Sequence, residues 1–137
     1  MKKGIYKSVF FDASHRLMNY EGKCRRLHGH RWKVEIWCDG EMNSATGIIV
    51  DYNQIRDVVE RFDHQVLLNE KDPLAECLSR FQPVITTAGD PSSEAIAILI
   101  HDMLEYELIK SGANARITKI RVWESSTCCA EIEYESV

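Results

Sequence analysis

The stretch Cys24-Arg25-Arg26-Leu27-His28-Gly29-His30-Arg31-Trp32-Lys33-Val34-Glu35-Ile36-Trp37-Cys38-Asp39 decides the fold. From His28 it alternates. Trp32, Val34, Ile36 and Cys38 fall on one face; Arg31, Lys33, Glu35 and Asp39 fall on the other. That period of two predicts a half-buried antiparallel strand over about His28–Asp39. His28 and His30 are two residues apart at its start, so both imidazoles leave one face and can reach one ion. Gly29 between them would allow close backbone approach.

N-terminal to this strand, Ile5 to Ala13 reads as another strand, with His15 at its end. A hairpin would set His15 beside His28 and His30. Three imidazoles with one open position is the arrangement of catalytic rather than structural zinc. Ligand type alone would also suit copper or nickel. An HxH pair by itself is a weak signal, and its bland reading is two surface or core histidines.

On the C-terminal side, Gly40 to Thr46 reads as a loop and Gly47-Ile48-Ile49-Val50 as a short apolar strand. Asp51 looks like a helix N-cap with Gln54 three residues on, a capping-box variant. Tyr52, Ile55, Val58, Val59 and Phe62 carry helical spacing to about Phe62. Residues 69–90 read as irregular, with Pro73, Pro83 and Gly89 as breakers. A second helix starts near Pro91, shows Ile96, Leu99, Ile100, Met103, Leu104 and Leu108 on its stripe, and stops near Gly112. Two strands close the chain, about Arg116–Glu124 and Cys128–Glu135, joined at Ser125-Ser126-Thr127. The expectation is a single α+β domain over residues 1–137, a mostly antiparallel sheet covered on one face by helices. Its two edges must be blunted or paired with other copies.

Composition narrows the function. A chain of 137 residues fits one domain, and 45% hydrophobic with 28% charged residues is ordinary globular usage. The net charge of −4, with no basic arm, argues against a nucleic-acid partner. No apolar run reaches membrane-span length, and the Met1-Lys2-Lys3-Gly4-Ile5 start has no apolar signal-peptide core. Cysteines 24, 38, 77, 128 and 129 show no CxxC spacing, so no disulfide framework is expected and a reducing cytoplasmic setting is the natural compartment. Cys128 and Cys129 would face opposite ways on a strand and form no bond.

Three further places carry chemistry. Cys24 lies four residues before His28 and beside two arginines. A thiol there, near a divalent cation, would ionise readily as a base or nucleophile, close the site as a fourth ligand, or be an inert cysteine. Arg25 and Arg26 are solvated loop charges or contacts for an anionic substrate group. Asp63-His64 reads as an oriented acid/base pair, or as a helix-end histidine interacting with the dipole. Glu124 shares parity with Ile120 and Val122, so its carboxylate points to the apolar side, where no obvious cation sits. A ligand with two parallel N–H donors would satisfy it, unless strand-end fraying leaves it in water.

Together these segments resemble the 6-pyruvoyl-tetrahydropterin synthase family. The carrying stretches are Phe11-Asp12-Ala13-Ser14-His15-Arg16-Leu17, Cys24 to His30, Gly47-Ile48-Ile49-Val50-Asp51-Tyr52, Phe62-Asp63-His64, Pro91-Ser92-Ser93-Glu94 and Val122-Trp123-Glu124, in family order across nearly the whole chain. The CxxxHGH spacing is similar to the bacterial branch, the 6-carboxy-5,6,7,8-tetrahydropterin synthases of queuosine biosynthesis.

The resemblance implies the tunnelling fold, a four-stranded antiparallel sheet with two helices on one face, assembled as a homohexamer of two stacked trimers. It implies Zn2+ on His15, His28 and His30. Cys24 would be the catalytic base, helped by Asp63 and His64 of a neighbouring subunit. Glu124 would anchor the pterin 2-amino and ring N–H groups, and the backbone at Ser92 and Ser93 would help hold the pterin. The implied substrate is 7,8-dihydroneopterin triphosphate, with 6-carboxytetrahydropterin, acetaldehyde and triphosphate as products. A pyruvoyl-type synthase, an aldolase-like enzyme and a non-catalytic zinc or pterin module are the alternatives. The chain departs from the family pattern in one extra residue between His64 and Asn69, in Ser92 for threonine, and in a longer segment from Glu70 to Asp90.

Overall fold

The computed structural model describes residues 1–134. In chain order it comprises β1 (Gly4–His15), β2 (His28–Gly40), α1 (Tyr52–Glu60), β3 (Gln65–Asn69), α2 (Pro73–Ser79), β4 (Ile85–Thr87), α3 (Ser93–Lys110), β5 (Ala115–Ser125) and β6 (Cys128–Glu133), with one 3-10 turn at Lys23–Arg25. One sheet takes the order β4-β3-β1-β2-β5-β6. The ladders β1–β2, β2–β5 and β5–β6 are antiparallel, while β3 on β1 and β4 on β3 are parallel.

The alternation in β2 fixes the core side. Trp32, Val34, Ile36 and Cys38 are all fully buried, and cross-strand partners on that face include Phe11 from β1 and Ile120 and Val122 from β5. α1 covers β1 with Ile55, Val58 and Val59; α3 covers β5 and β6 with Ile96, Ile100 and Leu104. Each such side chain contributes about 1.5–3 kcal/mol on burial, so this face supplies most of the fold's stability. Burial pushes the Cys38 thiol up to about 12, which makes it a packing residue and not a nucleophile.

The α+β tunnelling-fold expectation holds, and the details differ where local signals misled. The sheet has six strands and not four. Val66, Leu67 and Leu68 form β3, buried without alternation because a parallel strand is covered on both sides. The 69–90 segment is ordered. Pro73, read as a breaker, sits in the first turn of α2, where its missing N–H is harmless, and Asp72 caps that helix through Leu74 N. Gly47–Val50 forms no strand; Gly47 takes φ 73 in a turn. Asp51 does cap α1, accepting from Asn53 N at 2.8 Å, but Gln54 does not reach back to it. The Gln54 amide instead donates to the Glu107 carbonyl and Ser111 Oγ, tying α1 to the end of α3. Gly112 follows α3 with φ 73, the left-handed C′ position expected of it. β6 ends at Glu133, with Tyr134 already outside the strand, and residue 135 of the expected strand lies outside the described residues.

Gly40, at the end of β2, carries a steric demand. A Cβ there would lie 2.4 Å from the Asn114 carbonyl oxygen and 2.7 Å from Ala115. Gly40→Ala is expected to destabilise the protein by about 1–3 kcal/mol, read as a lower midpoint in chemical denaturation. An unchanged midpoint would mean that the 113–115 turn yields freely.

Candidate metal centre

The histidines continue the core face to its end. In the β1–β2 ladder His15 stands directly opposite His28, and His30 opposite Ala13. Ring centroids are 4.7 Å apart for His15–His28, 4.8 Å for His28–His30 and 5.2 Å for His15–His30. Trp32 forms the floor, its ring 4.9 Å from His15 and 5.3 Å from His30, held by Nε1 donating to the Ala13 carbonyl at 3.1 Å. Gly29 is not required by crowding: an added Cβ would meet nothing nearer than the Ala13 carbonyl oxygen at 3.6 Å.

Backbone carbonyls orient two of the rings. His15 Nδ1 lies 2.7 Å from the Pro91 carbonyl oxygen and His28 Nδ1 lies 2.6 Å from that of Arg26. A carbonyl only accepts, so each Nδ1 carries the proton and each Nε2 keeps a lone pair. His15 Nε2 and His30 Nε2 are buried without a hydrogen-bond partner. Glu124 Oε1 lies 3.2 Å from both. At His15 the carboxylate oxygen therefore faces a bare imidazole nitrogen; both are acceptors, so that contact satisfies neither. Unpaired buried groups cost about 1–3 kcal/mol each. A cation among these donors resolves the conflict, and one ligand atom from each of His15, His28, His30 and Glu124 lies within 4.8 Å of the others. The donor set therefore fits a divalent metal. Burial is the main cause holding His15 and His30 below the ordinary 6.5, opposed by the Pro91 carbonyl at His15 and by Glu124 at His30. Metals bind such neutral rings.

Glu124 does point to the apolar side, as its parity predicts. What the sequence reading overlooked is that the three histidines share that face. β5 shifts register against β6 between Trp123 and Ser125, so Glu124 sits at a bulge, a device that re-aims a side chain.

The other predicted residues fall into two groups. Ser92 and Ser93 adjoin Pro91, whose carbonyl holds His15; Ser92 Oγ caps α3 through Ala95 N at 3.1 Å, and Ser93 Oγ donates to Glu94 at 3.1 Å. Cys24 lies half-buried in the 3-10 turn, its carbonyl accepting from Leu17 N at 2.9 Å, and it is not among the clustered donors. Glu124, not Cys24, supplies the fourth donor. Arg25 and Arg26 are exposed.

Asp63 and His64 stand apart from the cluster. Asp63 accepts from Asp12 N and from His64 Nδ1, both at 2.8 Å. His64 N donates to the Asp12 carbonyl at 2.6 Å. Asp12 is three residues before His15, about 10 Å along an extended strand. His64 has φ 60, the one positive φ at a non-glycine among the described residues, and its side chain is 81% exposed. α1 has already ended at Glu60, so His64 is not a dipole-capping residue. A left-handed backbone of about 1–3 kcal/mol strain is held here to present an imidazole to solvent. The Asp12 N–H holds the Asp63 carboxyl below its usual range, with His64 adding to the effect, and Asp63 in turn raises His64.

Sequence reasoning missed the supporting network. Arg16 grips the buried Asp72 through two hydrogen bonds, one of 2.6 Å from Nε. Asp90 accepts from Asn69 Nδ2 and Asn19 N, both at 3.0 Å. These bonds tie the 70–90 segment to the loop that leads from His15 to Cys24. Arg16 and Asn19, just after His15, and Asp72 before Pro73 were the available signal; the Pro91 and Arg26 carbonyls left none.

Fold and site together define an α+β tunnelling-fold protein with a four-donor cluster, fit for a divalent metal, at one end of its core. The chain belongs to the 6-pyruvoyl tetrahydropterin synthase family, whose sequence profile matches residues 4–135. Among curated relatives, a putative 6-carboxy-5,6,7,8-tetrahydropterin synthase of Pyrococcus abyssi is 35% identical, covering 96% of this chain and 90% of that one. The 6-carboxy-5,6,7,8-tetrahydropterin synthase of Rickettsia felis is 27% identical over 92% and 96%. A catalytic-residue mutant of Plasmodium vivax 6-pyruvoyltetrahydropterin synthase shares the fold, with TM-score 0.74 at 17% identity over 99% of both chains.

The raised value at His64 has a defined cause. Its pair with Asp63 contributes stability below the ordinary 6.5 that is lost as pH rises through the raised value. In an NMR titration His64 is expected to titrate above 6.5 and to fall toward it in Asp63→Asn. A midpoint that the substitution leaves in place would contradict the assigned cause.

Proposed function

We propose that this chain is a zinc-dependent lyase. It converts 7,8-dihydroneopterin triphosphate and water to 6-carboxy-5,6,7,8-tetrahydropterin, acetaldehyde and triphosphate, in queuosine (7-deazapurine) biosynthesis. The observation that carries this reading is the buried, partnerless pair of Nε2 atoms on His15 and His30, with His28 completing a three-imidazole set, in a chain whose relatives bear the carboxytetrahydropterin synthase name. The CxxxHGH spacing favours this branch over the pyruvoyl one.

Zinc bound by His15, His28 and His30 would supply Lewis-acid polarisation of the substrate's side-chain hydroxyls. Cys24 takes the proton released as charge develops there. Asp63 fixes the His64 tautomer by its 2.8 Å bond, and His64 relays or returns the proton. Glu124 accepts from the pterin 2-amino and ring N–H groups in a fork. The turn at Ser92 and Ser93 offers backbone to the same ring. His64 faces solvent in its own chain, which supports its service to a neighbouring subunit. The open edges also support assembly. β3 pairs with β1 only at Ala13–His15, and β6 pairs only with β5 among the described residues. These edges suit copies joining β1 to β6 into trimers that stack as a hexamer. No helix is long and apolar enough to cross a membrane, and all five cysteines are free, as a reducing cytoplasm would keep them.

The direct test is product analysis by mass spectrometry after incubation with 7,8-dihydroneopterin triphosphate. The wild type is expected to give 6-carboxytetrahydropterin with acetaldehyde. Cys24→Ala should keep its metal and its pterin affinity while turnover falls about 10²–10⁴-fold. A pyruvoyl product would move the chain to the other branch, and full activity in Cys24→Ala would remove the base assignment.

A further inference from the structure

The position of Glu124 raises a question that a simple pterin anchor does not answer. An anchor needs its carboxylate open to the ring it will bind. Here Glu124 Oε1 is turned inward, 3.2 Å from both His15 Nε2 and His30 Nε2. The Pro91 carbonyl fixes the proton of His15 on Nδ1, so the nitrogen facing Glu124 is a bare lone pair. Negative oxygen against lone pair is repulsive unless a cation lies between them. The three imidazoles and this one carboxylate oxygen are the clustered donors. Four protein ligands close a metal site, while a catalytic site keeps one position for substrate.

We infer that Glu124 is a fourth metal ligand in the resting enzyme and that it leaves the metal when a pterin binds. The inference rests on the pterin reading above, which gives the departing carboxylate its new partner. The local backbone suits the exchange. The register of β5 against β6 breaks between Trp123 and Ser125, so Glu124 lies outside the regular ladder. Its side chain is 30% exposed, against 1% for His15, so it borders solvent on the side from which a ligand arrives. His15, in contrast, is locked by Pro91 and packed edge-on against Trp32. His28 is likewise held through Nδ1 by the Arg26 carbonyl, whereas no hydrogen bond holds the Glu124 carboxylate among the described residues. The exchange couples two events: opening of the metal to the substrate's hydroxyls and recognition of the pterin ring. A compound lacking the paired N–H donors would leave the metal closed.

Zinc affinity is measured by competition with a chromophoric chelator for wild type, Glu124→Gln and Glu124→Ala. The visible spectrum of each cobalt(II)-loaded form is then recorded with and without the oxidised pterin neopterin, whose fluorescence reports binding separately. Both substitutions are expected to weaken zinc binding about ten-fold or more. Bound neopterin should shift the wild-type cobalt spectrum and leave that of Glu124→Gln unchanged. Wild-type zinc affinity in both variants overturns the inference. Weakened affinity together with an unmoved wild-type spectrum under bound neopterin overturns the ligand exchange. Failure of neopterin to bind the wild type, with zinc affinity still dependent on Glu124, supports ligation and instead counts against the pterin reading.

Discussion

The antiparallel register between β1 and β2 sets His15 against His28 and brings His30 within the same 4.8 Å cluster, and the rest of the site depends on it. The same alternation that buries Phe11, Trp32 and Val34 delivers the imidazoles, because core residues and ligands share one face of each strand. A slip of one residue between the two strands would put His15 on the face opposite His28 and His30 and expose one strand's core side chains. Packing therefore guards the metal geometry. The hydrophobic face cannot form in any other register, so the ligands come together as a consequence of folding.

Around that centre, rigidity and freedom are distributed unevenly. Pro91 at the mouth of α3 and Arg26 beside the 3-10 turn lock two rings through backbone carbonyls. Arg16 with Asp72, and Asp90 with Asn19 and Asn69, bind the α2–β4 segment to the loop bearing Cys24. That segment thus buttresses the site and gives the sheet an additional parallel flank. Asp63 and His64 are built as firmly, yet they face away from the cluster of their own chain. The donors clustered in one chain fit a metal; the proton relay of the proposed function would have to come from a second chain.

Much of this was legible in the sequence because the informative signals were periodic or capped. Alternation in β2, the N-cap at Asp51 and the left-handed Gly112 each follow from local rules, and the three histidines follow from strand parity. β3 was missed because a parallel strand buried on both faces does not alternate. α2 was missed because Pro73 both ends and starts helices, and Asp72 before it is what decides between the two. The inward turn of Glu124 needed three dimensions: its parity was visible, but the histidines that share its face come from strands far away in sequence. Backbone carbonyls such as that of Pro91 leave no trace in side-chain identity at all.

The central claim is that one metal ion is held by His15, His28 and His30. Its most direct test is metal stoichiometry by mass spectrometry on protein stripped with chelator, reloaded with zinc and desalted, comparing the wild type with single alanine substitutions at these positions. The account predicts one zinc per wild-type chain and a loss of stoichiometric zinc in each variant, with the far-ultraviolet circular dichroism of the fold retained. Stoichiometric zinc in a folded His28→Ala protein would contradict it.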